Sequence, residues 1–115
     1  MEGNSAWVVL DLCQLRNVTL NDEALMRELI HALVSDASQK IEKLQQAAER
    51  SDSEECARLA HGLMGACGNV GAVSLSALLG SVEYHAAAGD LRLCQPSIKR
   101  LNSELEKLRS EVSAM

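Results

Sequence analysis

The sequence predicts an all-α protein, an antiparallel four-helix bundle with a short additional helix at the N-terminus. Alanine and leucine dominate the composition and β-branched residues are few, which favours helix over strand. The chain contains one proline, Pro96, and most of its glycines lie between positions 62 and 71, so long helices can form elsewhere. Apolar residues recur at steps of three and four, the spacing of amphipathic helices packed in a bundle.

The chain of 115 residues fits one helical domain, 1–115. Residues 1–8 are predicted to form a flexible arm, from which Trp7 and Val8 can pack on whatever follows. Residues 10–15, which include three leucines, are predicted to form the short additional helix.

The second helix is predicted to be the longest. Asn21 is a good N-cap residue, and the acidic Asp22 and Glu23 suit the positive end of the helix that follows. Nothing interrupts the apolar spacing before about Arg50, where the helix is expected to end. The stripe predicted to face the core consists of Leu25, Leu29, Ile30, Leu33, Val34, Ala37, Ile41, Leu44 and Ala48.

The third helix is predicted to begin at a cluster of capping residues, 51–54, in which Ser51 and Glu54 match a capping box. Its expected core side consists of Cys56, Leu59, Ala60, Leu63 and Cys67. The segment 68–71 has a glycine at either end and is expected to break the helix, because glycine adopts left-handed conformations readily.

The fourth helix is predicted to run from about Ala72 to Gly89 and Asp90. Its expected core residues are Val73, Leu75, Leu78, Leu79, Val82 and Ala86. Pro96 suits the first turn of the last helix, so residues 91–94 are predicted to form a separate turn. The core stripe of that last helix consists of Ile98, Leu101, Leu105, Leu108 and Val112.

Charge and cysteine usage exclude several classes of protein. The net charge of −5 and the absence of a basic cluster argue against nucleic-acid binding. No apolar run approaches the roughly 18–20 residues that span a bilayer, and no signal peptide is evident. The four cysteines, at positions 13, 56, 67 and 94, lack the paired spacing of a zinc site. We expect buried, reduced thiols, a reducing compartment and no metal.

The informative residue is His61, which the core stripe of the third helix leaves turned outward. Gly62 and Gly65 strip the helix surface around it of side chains, at a cost of up to about 1 kcal/mol each relative to alanine. The break at 68–71 makes the third and fourth helices an antiparallel hairpin, which places Glu83 or a nearby residue opposite His61. A carboxylate there would orient the imidazole and leave Nε2 as the nucleophile.

The string A-H-G-L-M-G-A-C-G-N-V-G-A, residues 60–72, resembles the signature of the histidine-containing phosphotransfer (HPt) domain family, A-H-x-L-K-G followed by G-A. The resemblance covers essentially the whole chain, including the E-x-x-A-x-x-G-D end of the fourth helix. It implies that His61 is phosphorylated, that Glu83 hydrogen-bonds the imidazole, and that Gly65 admits a partner. Gly62 and Met64 would belong to the same partner-binding surface.

One position departs from the family pattern. The family usually has lysine three residues after the histidine, where it offers positive charge to the phosphoryl group, and this chain has Met64. Arg58, three residues before His61 and on roughly the same face, is the candidate substitute. A second interpretation is that the partner's Mg²⁺ and lysine supply all the positive charge.

The resemblance implies a phosphorelay intermediate that exchanges a phosphoryl group between His61 and an aspartate of a response-regulator receiver domain. The chain has no nucleotide-binding motif, so it is expected to be a carrier and not a kinase, without a cofactor of its own. Expected partners are the receiver and a sensor or hybrid histidine kinase. We expect a monomer in the cytoplasm without direct membrane contact, either alone or as the cytoplasmic module of a membrane-bound hybrid kinase.

Two other functions fit the same residues. A degenerate HPt-like module could bind a receiver or an enzyme without being phosphorylated, which the missing lysine favours. A dimerising hairpin of a sensor kinase ranks last, because such hairpins carry an acid directly after the histidine, where this chain has Gly62. His31 and His85 are expected to be ordinary surface or half-buried residues.

Overall fold

A computed structural model describes residues 8–114, and the predicted fold class is confirmed. Five helices and no strand occur within these residues: α1 (Leu12–Thr19), α2 (Glu23–Glu49), α3 (Ser53–Val70), α4 (Val73–Ala87) and α5 (Leu91–Ser113). None of the described helices is both long and apolar enough to cross a membrane. Of the predicted arm, residues 1–7 with Trp7 lie outside the described part. Val8 is half exposed, and its carbonyl accepts a hydrogen bond from the Ser74 amide.

The four long helices form a closed ring in which α2 packs on α3, α3 on α4, α4 on α5 and α5 on α2. Short loops make successive helices antiparallel, as in a four-helix bundle. The core between them is aliphatic, and burying it supplies the main stabilisation of the fold. The additional helix α1 lies across the end of the bundle where α3 meets α4. There the Asp11 amide donates to the Gly71 carbonyl over 2.7 Å.

Four of the five helices begin in the same way, with an aspartate as N-cap. Their carboxylates accept a hydrogen bond from the backbone amide three residues on, and they are Asp11, Asp22, Asp52 and Asp90. The predicted cap Asn21 is therefore wrong by one residue. Within the predicted cluster 51–54 the capping residue is Asp52, so Ser51 and Glu54 do not form the predicted capping box. Asn21 and Ser51 have positive φ angles of 65° and 59°, whereas a capping residue needs the more extended backbone that Asp22 and Asp52 adopt.

The break between α3 and α4 is shorter than predicted. Gly68 and Asn69 lie inside α3, which continues to Val70, and only Gly71 and Ala72 separate the two helices. Gly71 is the C-cap with φ 89°, and a Cβ there would lie 2.6 Å from the Asp11 carbonyl oxygen. Glycine is thus required at Gly71 by its conformation and by the close approach of α1.

The predicted separate turn at 91–94 is wrong, because these residues form the first turn of α5 and Pro96 lies inside the helix. Pro96 removes one backbone hydrogen bond, the one to the Arg92 carbonyl, and exposes its ring to solvent. The Asp90 cap and the buried Cys94, whose Sγ donates to the Val82 carbonyl over 3.4 Å, hold this turn helical.

The core face of α2 is rotated slightly from the predicted stripe. Leu25 is 43% exposed and Leu29 and Ala48 are half-buried, whereas Met26 and Ala47 are buried. The helical repeat is 3.6 residues, so a stripe counted from Leu25 departs from the buried face of α2 toward both ends of the helix. In α4, Val73 is half-buried and its neighbour Ser74 is buried.

Three of the four cysteines are buried as predicted, and Cys13 is exposed, which corrects the prediction for that residue. Cys56 and Cys94 pack in the core near the ends of their helices. Burial, helped by the negative charge of Asp36, raises the pKa of the Cys67 thiol to about 12. These three thiols therefore act as small apolar side chains.

A buried carboxylate joins α4 to α5. Glu104 is 4% exposed and accepts a hydrogen bond from Ser74 Oγ over 2.7 Å and another from Lys107 Nζ over 2.9 Å. Burial acts to raise the pKa of Glu104, but these two donors and the charges of Lys107 and Arg100 outweigh it and lower the pKa. Glu104 is thus ionised, and both of its carboxylate oxygens accept a hydrogen bond inside the fold.

Candidate functional site

His61 lies near the middle of α3, and its side chain is 70% exposed. Ala60 and Leu63, on the opposite side of the helix, are fully buried, and they fix the face on which the imidazole emerges. Gly62 and Gly65 are both exposed, and a Cβ added at either position would meet nothing within 4 Å. The helix surface beside the imidazole is therefore bare and open to solvent.

Glu83 on α4 contacts the imidazole directly, with 2.7 Å between His61 Nδ1 and Glu83 Oε2. The two residues are nearly equidistant from the turn at Gly71, so the antiparallel pairing of α3 and α4 brings them together. An ionised carboxylate can only accept a hydrogen bond, and Nδ1 must therefore carry the proton. In the neutral ring this leaves the lone pair on Nε2, which faces away from Glu83.

The side chain of Met64 packs against α4. A Cβ added at Gly80 would lie 3.2 Å from Met64 Sδ, so Gly80 forms a notch that the sulfur fills. One turn before Gly80 in α4, Ser76 Oγ donates to the Met64 carbonyl over 3.2 Å. Met64 is half-buried and uncharged, and it lines the surface next to His61 without adding positive charge.

Arg58 is exposed on α3 and its guanidinium is paired with Glu55. Arg58 Nε donates to Glu55 Oε1 over 2.8 Å, and Nη2 donates to Oε2 over 2.6 Å. The hydrogen bond from Arg58 lowers the pKa of the Glu55 carboxyl, and the same contact raises the pKa of Arg58. The structure thus directs the charge of Arg58 toward Glu55, one turn before it, and not toward His61.

Two contacts at this site are absent from the sequence-based predictions. The spacing of Glu55 and Arg58, three residues apart on one helix, is a signal that could have indicated their pairing. The packing of Met64 into Gly80 had no comparable signal, because it depends on the register between two helices. His31 is exposed on α2, and His85 packs edge-on against Tyr84 at 5.2 Å between ring centroids.

Comparisons with known proteins identify the family and the fold of the chain. The model of the Hpt domain family matches residues 28–111. Among solved structures, the crystal structure of histidine-containing phosphotransfer protein B (HptB) from Pseudomonas aeruginosa PAO1 has the same fold, with a TM-score of 0.85, 24% sequence identity and 92% of each chain covered. A comparison with curated proteins gave no match.

The family match spans most of the chain, from α2 to α5, and includes both His61 and Glu83. The resemblance seen in the signature around His61 is thereby confirmed. Proteins of this family are phosphotransfer carriers in two-component phosphorelays. The chain belongs to the Hpt domain family of histidine-containing phosphotransfer proteins.

Proposed function

We propose that this protein is a phosphorelay intermediate that accepts a phosphoryl group on Nε2 of His61 and exchanges it with an aspartate of a response-regulator receiver domain. The observation that carries the proposal is the 2.7 Å contact of His61 Nδ1 with Glu83 on an exposed ring. This contact leaves the Nε2 lone pair pointing at solvent, where a partner's phosphoryl group can approach it.

The transfer itself needs few groups from this chain. The Nε2 lone pair attacks phosphorus, the bond from phosphorus to the aspartyl oxygen breaks, and the carboxylate leaves with the bonding electrons. The proton stays on Nδ1, and the positive charge that develops on the imidazole ring faces the carboxylate of Glu83. The reverse reaction returns the phosphoryl group by the same path. Positioning therefore accounts for most of the chain's contribution.

The proposed docking surface consists of Gly62, Met64 and Gly65. Its two glycines let a receiver approach the backbone of α3, and the thioether of Met64 adapts to varied apolar surfaces. The receiver would bring the Mg²⁺ that neutralises the transferring group, and Arg58 is the candidate cation of this chain. A sensor or hybrid histidine kinase would start the relay, with this protein as a monomer in the cytoplasm or as a cytoplasmic module of such a kinase.

The test is transfer from a receiver domain phosphorylated on aspartate. We expect label on the protein that is stable to base and labile to acid, as a phosphohistidine is. His61→Gln should remove the label, and His31→Gln, at an exposed histidine of α2, is the matched control that should keep it. Label that survives in His61→Gln would contradict the proposal.

Glu83 offers a graded second test of the same proposal. Glu83→Ala removes the hydrogen-bond acceptor and should slow labelling about ten- to a hundredfold, the usual cost of losing the group that orients a functional histidine. Glu83→Gln keeps an oxygen that can accept from Nδ1 and should retain more activity. Equal rates for wild type and Glu83→Ala would show that the carboxylate does not orient the ring.

One observation favours a second function, that of an interaction module without phosphorylation. Met64 brings no charge to the site, and Arg58 is already paired with Glu55. Such a module would bind the receiver domain with unchanged affinity in the wild type and in His61→Gln, and neither protein would acquire label. Binding together with labelling of His61 excludes it.

A further inference from the structure

The site for the phosphoryl group is poor in positive charge. Arg58 is the only lysine or arginine in α3 and α4, the two helices that build the surface around His61. Three acids, Glu54, Glu55 and Glu83, lie on the same two helices. A phosphoryl group on Nε2 would add further negative charge to this surface, so the state of Arg58 matters more here than in a site with its own lysine.

Glu55, Arg58 and His61 follow one another at steps of three on α3. Positions three apart on a helix are neighbours on one face, so Arg58 lies one turn from both Glu55 and His61. Side chains on a helix lean toward its N-terminus, and the side chain of Arg58 does so, since both of its contacts are made with Glu55. Arg58 thus lies between two anions that compete for it, the Glu55 carboxylate and the phosphoryl group.

We infer that Glu55 is a positioning residue that holds Arg58 away from unphosphorylated His61 and sets how strongly Arg58 stabilises the phosphorylated form. The inference rests on the proposed function. In the resting protein both oxygens of Glu55 bind the guanidinium. When the phosphoryl group reaches Nε2, Arg58 can turn toward it, because a phosphate also accepts two parallel hydrogen bonds and carries more charge. Opening the Arg58–Glu55 pair costs free energy, and phospho-His61 is less stable by that amount.

The opening of this pair is accessible at room temperature. The side chain of Arg58 is 68% exposed and that of Glu55 is 33% exposed, so water can solvate both groups as they separate. Exposed ion pairs of this kind contribute little net free energy, which corresponds to about a two- to fivefold change in an equilibrium constant. Glu55 therefore adjusts the phosphorylation equilibrium without abolishing it.

The measurement is the equilibrium distribution of the phosphoryl group between His61 and the receiver aspartate at low ionic strength. We expect Glu55→Gln to shift it about two- to fivefold toward His61, and Arg58→Ala to shift it toward the aspartate. In the Arg58→Ala background, Glu55→Gln should produce no larger shift than Glu54→Gln does. Raising the salt concentration should reduce the shift that Glu55→Gln produces. Screening weakens both the ion pair of Arg58 with Glu55 and the ion pair of Arg58 with the phosphoryl group.

Glu54→Gln is the matched control. It removes the same charge from the same turn of α3, but Glu54 is not the partner of Arg58 in the structure. Any general effect of lowering the negative charge near His61 appears in both variants, and only Glu55→Gln releases Arg58. A smaller shift in Glu54→Gln than in Glu55→Gln supports the inference.

Two outcomes overturn it while leaving the proposed function intact: equal shifts in Glu55→Gln and Glu54→Gln, or a Glu55→Gln shift of undiminished size in the Arg58→Ala background. In both cases His61 of the wild-type protein acquires label. Absence of label on wild-type His61 would instead contradict the proposed function and this inference together. We expect the free energy of unfolding of each variant, measured in urea, to be close to that of the wild type. The shifts would then not result from loss of folded protein.

Discussion

At the scale of single residues, Gly62 and Gly65 beside His61 lower the stability of the helix, and no contact within the described part of the fold requires a glycine at either position. A Cβ at Gly62 or Gly65 would meet no atom within 4 Å, so neither glycine is required by packing. Both lie within the helix, where glycine is less favourable than alanine by up to about 1 kcal/mol. The bare surface is thus suited to a molecule that approaches from outside.

The prediction for Gly65→Ala is a gain of stability together with a loss of function. We expect the free energy of unfolding to rise by about 0.5–1 kcal/mol, because alanine favours the helix and finds open space. Phosphoryl transfer from a receiver should slow, because the new methyl group holds the partner away from α3. Urea unfolding and transfer rates measure the two effects, and transfer at the wild-type rate would show that the receiver does not need this bare surface.

The residues of the site were predictable to different degrees. The outward position of His61 followed from the core stripe on α3. The antiparallel hairpin indicated Glu83 or a nearby residue as its neighbour, and the family resemblance singled out Glu83, which makes the contact in the structure. The pairing of Arg58 with Glu55 was missed, although the spacing of the two residues is a signal for it. Glu55, Arg58 and His61 lie one turn apart on the same face of the helix, and side-chain direction decides between the partners.

At the scale of the helices, sequence patterns located each helix but misplaced several ends. Asn21 and Ser51 are good capping residues in isolation, yet each is followed by an aspartate that caps better in its place. The choice depends on backbone angles, and composition cannot supply them. The predicted start of α5 was wrong because Pro96 was expected in the first turn of the helix. A proline is tolerated inside this helix because the contacts of Asp90 and Cys94 already fix the turn before it.

The junction of α3 and α4 gives a prediction at this scale. Gly71→Ala should lower the free energy of unfolding by at least about 2 kcal/mol, because alanine at φ 89° is strained and its Cβ would meet the Asp11 carbonyl oxygen at 2.6 Å. Gly89→Ala is the control, with φ 80° and open space around the Cβ, and should cost about 1 kcal/mol from strain alone. Equal losses in urea unfolding would show that the contact with α1 adds nothing.

At the scale of the whole molecule, the architecture was the most predictable property of this chain. Long apolar stripes at helical spacing and short loops allow few arrangements other than an antiparallel bundle. The buried carboxylate of Glu104 was not predicted, since its stripe on α5 is otherwise apolar and its partner Ser74 comes from another helix. Such a contact depends on how two helices are aligned, which the spacing within each helix does not fix.

Glu104 makes the stability of the bundle depend on pH. Its pKa is lower in the folded protein than in the unfolded chain, where the pKa of a glutamate is about 4.3, so the unfolded chain takes up the proton first as the pH falls. The stabilisation by the ionised carboxylate is complete above about pH 5, and it is lost as the pH drops through the folded pKa.

We therefore expect Glu104→Gln to be less stable than wild type at pH 7, and the difference to shrink as the pH falls below about 4. Urea unfolding at a series of pH values measures it. The other acids of the chain titrate in both proteins, so their effects cancel in the comparison. A difference that stays constant with pH would show that the ionisation of Glu104 contributes no stability.

The packing of Met64 into the notch at Gly80 has a consequence for how sequences of this fold can vary. An alanine at position 80 would force the sulfur of Met64 to move by a few tenths of an ångström, because its Cβ would lie 3.2 Å from Met64 Sδ. A larger residue would require a larger displacement. The effect of a substitution at either position thus depends on the residue at the other. Positions 64 and 80 are epistatic, and a lysine introduced at 64 has to be assessed together with the residue that faces it.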